Sequence, residues 1–243
     1  MRKALAIYAV SVTLALAGGG AKWSYEGETG PEHWGDLSPE FIMCKLGKNQ
    51  SPVDLNERYT VKACVKPIEF HYSADVKAVK NTGYSIKALA EGKSYVVVDG
   101  KKFYLKQFHF HTPSEHTVNG KYYPMEMHLV HADEEGNLAV IGVFFKVGKQ
   151  NATLERVLSA APEQPGKKNA LAEPVNPYDL LPEDKSFYRY SGSLTTPPCS
   201  EGVRWFVMRE PLELSQEQLA RFQELMGKNN RPVQPINARK ILK

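Results

Sequence analysis

Short apolar runs separated by polar turns dominate the chain, and this pattern predicts β-strands more often than helices. Residues 94–110 read SYVVVDGKKFYLKQFHF. The two β-rich halves of this segment flank Asp99 and Gly100, a pair that favours a tight hairpin turn. Further strands are predicted over residues 125–131, 138–147 and 203–209.

Helical patterns are few. Ser215 and Gln218 have the spacing of a capping box, and the apolar side chains after them share one helical face up to Gly227. A second short helix is predicted over residues 154–161. The stretch 162–186, rich in Pro, Gly, Lys and Asn, is predicted to be a long surface loop. Nothing divides the chain into two cores, so we expect one mainly β domain.

The beginning of the chain has the pattern of an export signal. Arg2 and Lys3 precede an apolar run, and the small residues at 15–17 suit a cleavage site. A membrane anchor is the alternative, but the run is shorter than the about 20 residues that a spanning helix needs. We predict a signal peptide over 1–17 and a mature domain over 18–243, hence a periplasmic or secreted protein in an oxidising compartment.

The net charge excludes one class of partner. The 243 residues include 31 Lys and Arg against 27 Asp and Glu, a formal charge of +4. Nucleic-acid binding favours a concentrated basic face. We therefore expect no nucleic-acid partner. Once the signal peptide is removed, we also expect no membrane partner.

Five of the seven histidines fall between positions 109 and 131. Side chains alternate faces along a strand, so Gln107, His109 and His111 share one face of their strand. The next predicted strand places Glu126 and His128 on one of its faces. Two histidines on one strand and a third on its neighbour would form a three-nitrogen face with one coordination position open.

Three neutral imidazoles suit Zn²⁺, and an open fourth position is typical of a catalytic zinc site. Metal-bound imidazoles need a hydrogen bond on their other nitrogen, and Gln107 and Glu126 each precede a histidine by two residues. A lone His-x-His pair is more often a packing or surface feature. The same-face polar residues favour the metal site here. His116 and His131 are predicted to be hydrogen-bonded structural histidines.

Several segments of the chain together resemble the alpha-class carbonic anhydrases, from about Trp23 to Lys240. The segments are Gly30-Pro31-Glu32-His33-Trp34, Asn49-Gln50-Ser51-Pro52, Gln107-Phe108-His109-Phe110-His111, Ser114-Glu115-His116, Glu126-Met127-His128-Leu129-Val130-His131, Ser191-Gly192-Ser193-Leu194-Thr195-Thr196-Pro197-Pro198-Cys199 and Asn230-Arg231-Pro232-Val233-Gln234-Pro235. With the export signal, the chain resembles an exported bacterial member.

The resemblance implies a central, mostly antiparallel twisted β-sheet with a few short peripheral helices. It implies reversible hydration of carbon dioxide to bicarbonate and a proton by a zinc-bound hydroxide. His109, His111 and His128 would hold the Zn²⁺. The Thr195 hydroxyl would donate a hydrogen bond to Glu115 and accept one from the hydroxide, which would orient the hydroxide towards carbon dioxide.

The same resemblance implies an apolar substrate wall and a polar contact for bicarbonate. Thr195 and Thr196 would contact the substrate, and the wall would consist of Val130, Val140, Leu194, Val203 and Trp205. Without the resemblance, the five wall residues would be assigned to the core. Many family members carry a histidine proton shuttle where this chain has Tyr84. Tyrosine has a pKa of about 10, so we expect Tyr84 to be a poor shuttle.

The chain contains three cysteines. Cys44 and Cys199 match the disulfide of secreted family members, which would staple the N-terminal region to the Thr195 loop. Cys64 is then left over, and an odd cysteine in an exported protein suggests an intermolecular bond or a free thiol. We predict a homodimer linked through Cys64. The alternative is a small buried residue.

Two other functions are compatible with the sequence. Some domains of this type have lost zinc ligands and act as binding modules, but all three histidines and Thr195 are present here. A hydrolase of activated esters is the other alternative. A cleft sized for carbon dioxide would make ester hydrolysis incidental.

Overall fold

The computed structural model describes residues 21–243. The predicted signal peptide over 1–17 and the domain boundary at residue 18 lie outside the described residues. Within the described range, no helix is both long and apolar enough to cross a membrane.

Strands account for most of the regular structure in the described range. They are β1 (Asp54–Leu55), β2 (Thr60–Val61), β3 (Glu69–His71), β4 (Val76–Asn81), β5 (Ile86–Ala90), β6 (Tyr95–Val98), β7 (Lys101–His111), β8 (Thr117–Val118), β9 (Lys121–Tyr122), β10 (Met125–Ala132), β11 (Leu138–Val147), β12 (Lys168–Val175), β13 (Phe187–Ser193), β14 (Glu201–Met208), β15 (Leu212–Leu214) and β16 (Ile241–Leu242). The α-helices are α1 (Trp34–Leu37), α2 (Met43–Leu46), α3 (Ala152–Ala160) and α4 (Gln216–Met226), and 3₁₀ turns cover Gly27–Thr29, Pro39–Phe41 and Pro177–Leu180.

One large sheet organises the chain. Its strand order is β12-β4-β5-β7-β10-β11-β14-β13-β16-β2, and the shorter β3, β6 and β15 pair alongside this path. The pairs from β12 to β11 are antiparallel, whereas β11 pairs parallel with β14. A separate small sheet contains β1, β8 and β9. The prediction of a mainly β fold with a mostly antiparallel central sheet and few short helices is confirmed.

The local turn and cap signals are also confirmed. Asp99 and Gly100 have φ of 53° and 81° between β6 and β7, the left-handed pair that a tight two-residue hairpin requires. Ser215 and Gln218 form a reciprocal capping box at the start of α4. Each predicted strand is present, with bounds shifted by at most two residues.

The prediction that 162–186 is a long surface loop was wrong about its secondary structure. The segment contains β12 and the 3₁₀ turn Pro177–Leu180. Strand β12 lies at the end of the sheet, where its one sheet partner is β4, and most of its side chains are exposed. An edge strand whose two faces are both exposed to solvent needs no alternation of apolar and polar residues. Its sequence therefore resembles that of a loop.

The two faces of the central strands pack into different clusters. Phe108 and Phe110 of β7, with Met127 and Leu129 of β10, lie in the larger apolar core. The opposite face carries the histidines and a smaller cluster, in which Trp205 is buried. The alternation of side chains along β7 therefore separates the core from the candidate site.

Candidate metal centre

The register of β7 and β10 brings the three predicted ligands together. His109 lies directly opposite His128 in the antiparallel pair, and His111 lies opposite Glu126. Cross-strand partners point to the same face of a sheet, so the three imidazoles face one another. Their ring centroids are 5.0 Å apart for His109 and His111, 5.4 Å for His109 and His128, and 4.6 Å for His111 and His128.

Each ring is held by a hydrogen bond that fixes its tautomer. The Nδ1–H of His109 donates to Gln107 Oε1 at 2.8 Å, and the Nε2–H of His128 donates to Glu126 Oε1 at 2.9 Å. The Nδ1–H of His111 donates to the backbone oxygen of Asn229 at 2.7 Å. The remaining nitrogens are His109 Nε2, His111 Nε2 and His128 Nδ1, and each keeps its lone pair for a ligand.

The donor set fits a small metal ion. One ring nitrogen from each of the three histidines lies within 4.8 Å of the other two. His111 Nε2 is buried and has no hydrogen-bond partner among the described residues, which is costly unless another group binds there. Three neutral imidazole nitrogens are the donor chemistry that Zn²⁺ accepts in catalytic sites.

The pKa directions at the site follow from burial. Burial, together with the charges of the neighbouring histidines, holds the pKa of His109 well below its ordinary value. Burial also lowers the pKa of His111, against the opposing charge of Glu115. Both rings are therefore neutral at neutral pH, the form that binds a metal. Burial opposes protonation of His128 as well, but the adjacent Glu126 carboxylate outweighs it and raises that pKa.

Glu126 is a buried junction with four donors. Its Oε2 accepts the backbone N–H groups of Glu115 and His116, both at 2.9 Å, and its Oε1 accepts His116 Nδ1–H at 2.7 Å as well as the bond from His128. His116 Nε2 lies 2.7 Å from the Tyr190 hydroxyl. The prediction that His116 is a hydrogen-bonded structural histidine is confirmed.

A glycine makes room for that carboxylate. Gly142 of β11 lies opposite His128, and a Cβ built on it would be 2.9 Å from Glu126 Oε1. No pattern in the sequence marks Gly142 or Asn229, because one acts by lacking a side chain and the other through its backbone oxygen. Both were missed by the sequence analysis.

Glu115 lies beside the histidines and is fully buried. Its Oε1 accepts the backbone N–H of Arg231 at 2.9 Å, and its Oε2 is 3.8 Å from His128 Nδ1. Oε2 has no hydrogen-bond partner among the described residues. Thr195 is buried on the loop that follows β13. Within residues 21–243, its hydroxyl forms no hydrogen bond with Glu115.

Comparison with known proteins identifies the family. The family model described as eukaryotic-type carbonic anhydrase matches residues 29–243. The chain belongs to this family. All three histidines, Glu115 and Thr195 lie inside the matched range.

Individual relatives agree with the family match. A curated carbonic anhydrase from Klebsiella pneumoniae is 45% identical over 223 residues, 90% of either chain. A solved alpha-carbonic anhydrase from Thermovibrio ammonificans, in complex with the inhibitor sulfanilamide, is 62% identical with a TM-score of 0.91, covering 93% of this chain and 100% of that one. A hyperthermostable carbonic anhydrase identified from an active hydrothermal vent chimney is 58% identical with a TM-score of 0.88, covering 91% and 99%. The chain is thus related over almost its whole described length to lyases of the carbonic anhydrase family.

The five residues expected to form the apolar wall of a carbonic anhydrase cleft lie in the smaller apolar cluster. Val140, Val203 and Trp205 are buried in it, and Val130 and Leu194 pack against it half-buried. Trp205 also contacts His128, with ring centroids 4.8 Å apart. The cluster therefore adjoins the histidines on the site face of the sheet.

Tyr84, which the resemblance places where a proton shuttle is expected, contacts the N-terminal part of the described residues. Its hydroxyl donates to the backbone oxygen of Trp23 at 2.9 Å, and its ring stacks on that of Trp23 at 4.3 Å. The side chain is therefore held by two contacts on one residue.

The predicted disulfide is confirmed. Cys44 of α2 bonds Cys199 across 155 residues of chain. The Cys199 N–H donates to the backbone oxygen of Thr196 at 2.9 Å. The disulfide therefore anchors the short loop that contains Thr195 and Thr196. Cys64 is a free thiol and is exposed, which excludes the alternative that it is a small buried residue.

Proposed function

We propose that this protein catalyses the reversible hydration of carbon dioxide to bicarbonate and a proton, with Zn²⁺ held by His109, His111 and His128. One observation carries the proposal: the three rings converge with their outer nitrogens donating to Gln107, Asn229 and Glu126. In the neutral form of each ring, the inner nitrogen therefore carries a lone pair that a metal ion can bind. A zinc ion bound there would act as a Lewis acid and supply a strong oxygen nucleophile at neutral pH.

Glu115 and Thr195 orient the attacking oxygen. Glu115 Oε2 is buried and unpaired within the described range, so it can accept a hydrogen bond from the Thr195 hydroxyl. Because the Thr195 hydroxyl donates its hydrogen to Glu115, its oxygen can only accept a hydrogen bond from the attacking water or hydroxide. This leaves a lone pair of the attacking oxygen directed at the substrate carbon, which is an effect of orientation rather than of proton transfer.

The apolar wall binds the substrate. Carbon dioxide has no net charge and no dipole, so it gains from leaving water for the cluster of Val130, Val140, Leu194, Val203 and Trp205. The Thr195 backbone N–H provides a polar contact at one end. Thr196, half-buried on the same loop, contacts bicarbonate.

Proton release limits turnover. The Tyr84 hydroxyl donates its hydrogen bond to the Trp23 backbone oxygen, and a tyrosine exchanges protons poorly near neutrality. We therefore infer that a small buffer must carry the proton away from the cleft.

The protein works outside the cytoplasm. The Cys44–Cys199 bond is of the kind that persists in oxidising compartments, and the predicted signal peptide would deliver the chain there. The exposed Cys64 would link two copies into a homodimer. A band at twice the monomer mass on a non-reducing gel, lost in Cys64→Ser, is the expected result; monomer alone under oxidising conditions would contradict the linked dimer.

Stopped-flow measurement of carbon dioxide hydration tests the proposed function. The zinc-loaded protein should accelerate hydration, and a chelator should abolish the acceleration. Thr195→Ala should lower the rate while retaining the metal, and Thr195→Ser should retain most of the rate because it keeps the hydroxyl. Absence of activity in the zinc-loaded wild type would overturn the proposal and leave a binding module.

A further inference from the structure

Three lysines form a row across the sheet that ends at the histidines. Lys168 of β12 lies opposite Lys80 of β4, Lys80 lies opposite Lys87 of β5, and Lys87 lies opposite His109 of β7. His109 in turn lies opposite His128. The row crosses five neighbouring strands, from the edge of the sheet to the metal centre.

The row lies on the site face of the sheet. The residues next to Lys80 and Lys87 along their strands, Val79 and Ala88, are fully buried in the larger core with Phe108. Because side chains alternate, Lys80 and Lys87 point to the opposite face, which His109 shares. Both lysines are half-buried, whereas Lys168 at the edge is exposed.

No acid compensates these charges within the described residues. Among the ion pairs of residues 21–243, none includes Lys80, Lys87 or Lys168. Like charges directly opposite one another destabilise a sheet, and partial burial of an unpaired ammonium group adds to that cost. Packing and fold stability therefore do not explain the arrangement.

We propose that Lys80 and Lys87 form an anion-attracting wall beside the metal centre, which draws small monovalent anions, bicarbonate among them, to the cleft. The inference rests on the proposed function, because it assigns a means of handling the charged member of the carbon dioxide–bicarbonate pair. A cleft lined by one sign of charge concentrates ions of the opposite sign. Carbon dioxide is uncharged and does not respond to this field.

The electrostatics of the neighbouring groups agree with the proximity of the two charges. Burial and the charge of Lys80 lower the pKa of Lys87. An anion bound near the two lysines would reduce the repulsion between their charges.

Inhibition by added anions tests the wall. Carbon dioxide hydration would be measured at increasing bicarbonate and, separately, nitrate, in the zinc-loaded wild type, Lys87→Gln and Lys80→Gln. We expect the inhibition constants of both anions to rise about threefold to tenfold in Lys87→Gln and less in Lys80→Gln, while the KM for carbon dioxide stays unchanged. Lys77→Gln is the matched control. Lys77 lies on β4 with Lys80, but its side chain is exposed and pairs with Glu91.

Two results would overturn the proposal. One is an unchanged inhibition constant for both anions in Lys87→Gln, and the other is an equal rise in Lys77→Gln. A rise for bicarbonate alone would also overturn it, because the wall recognises charge and not the substrate. Chloride binding to the same proteins, followed by the chlorine-35 NMR line width, needs no turnover. If the wild type hydrates no carbon dioxide, the proposed function fails, and the difference in line width between wild type and Lys87→Gln still decides the lysine wall.

Discussion

The two faces of β7 serve different purposes, although they alternate residue by residue. Phe108 and Phe110 are fully buried in the larger core. His109 and His111, their immediate neighbours, lie in a cluster of nitrogen donors with one orphaned buried atom. One face gains stability by excluding water, and the other keeps polar groups unsatisfied until a ligand binds. Substitutions on adjacent residues should therefore separate stability from activity.

The largest expected effect is on the site face. His109→Ala removes one metal ligand, so zinc binding and carbon dioxide hydration should fall by more than the about 10- to 100-fold that loss of an outer hydrogen-bond partner costs. The free energy of unfolding of the metal-free protein should change little, because His109 is half-buried and leaves the core untouched. Zinc content by mass spectrometry and stopped-flow rates provide the measurements. Retention of one zinc per chain would contradict the assignment.

The adjacent substitution should show the reverse. Phe108→Ala leaves a cavity in the core and should lower the free energy of unfolding by about 3–5 kcal/mol, measured by denaturant titration. The fraction that remains folded should bind zinc and turn over as the wild type does. Loss of zinc from folded Phe108→Ala would show that the two faces are not independent.

The alternation that creates these faces is also what made the site predictable. The His109-x-His111 spacing and the hairpin at Asp99 act locally, so the sequence carries them directly. Gly142 and the Asn229 backbone oxygen could not be predicted, because their roles depend on which distant strands meet. The edge strand β12 was missed for the opposite reason, since it buries neither face and so leaves no pattern.

The two histidines of β10 extend the comparison to pH. His131 lies on the face opposite His128; its Nε2 accepts the Tyr72 hydroxyl at 2.8 Å and its Nδ1–H donates to the Ala139 backbone oxygen at 3.2 Å. Burial lowers the pKa of His131 to about 4. An unfolded histidine has a pKa of about 6.5, so the unfolded state binds more protons between these values. Stability should be fully present above about pH 6.5 and decline by about 3 kcal/mol as the pH falls towards 4.

His131→Gln is the matched variant for this effect, because it removes the titration and keeps a polar side chain. The stability difference between wild type and His131→Gln should narrow as the pH falls from 7 to 4, in denaturant titrations at each pH. A difference that stays constant with pH would rule out His131 as the titrating group.

The smallest expected effect is at Tyr84. Tyr84→His supplies a group that exchanges protons near neutrality, so hydration at low buffer concentration should rise severalfold. Imidazole added to the wild type should produce a similar gain at fixed pH. Tyr84→Phe is the control, because it keeps the stacking on Trp23 without adding a shuttle. Rates that are flat with imidazole, and no gain in Tyr84→His, would exclude proton release as the limiting step.

The central claim is that the three converging histidines hold one catalytic zinc ion. Titration of the metal-free protein with Zn²⁺, with carbon dioxide hydration measured at each addition, tests it most directly. The account predicts that the rate rises linearly and levels off at one zinc per chain, and that His111→Ala shows no such rise. A rate that is independent of added zinc, or an equal rise in His111→Ala, would contradict it.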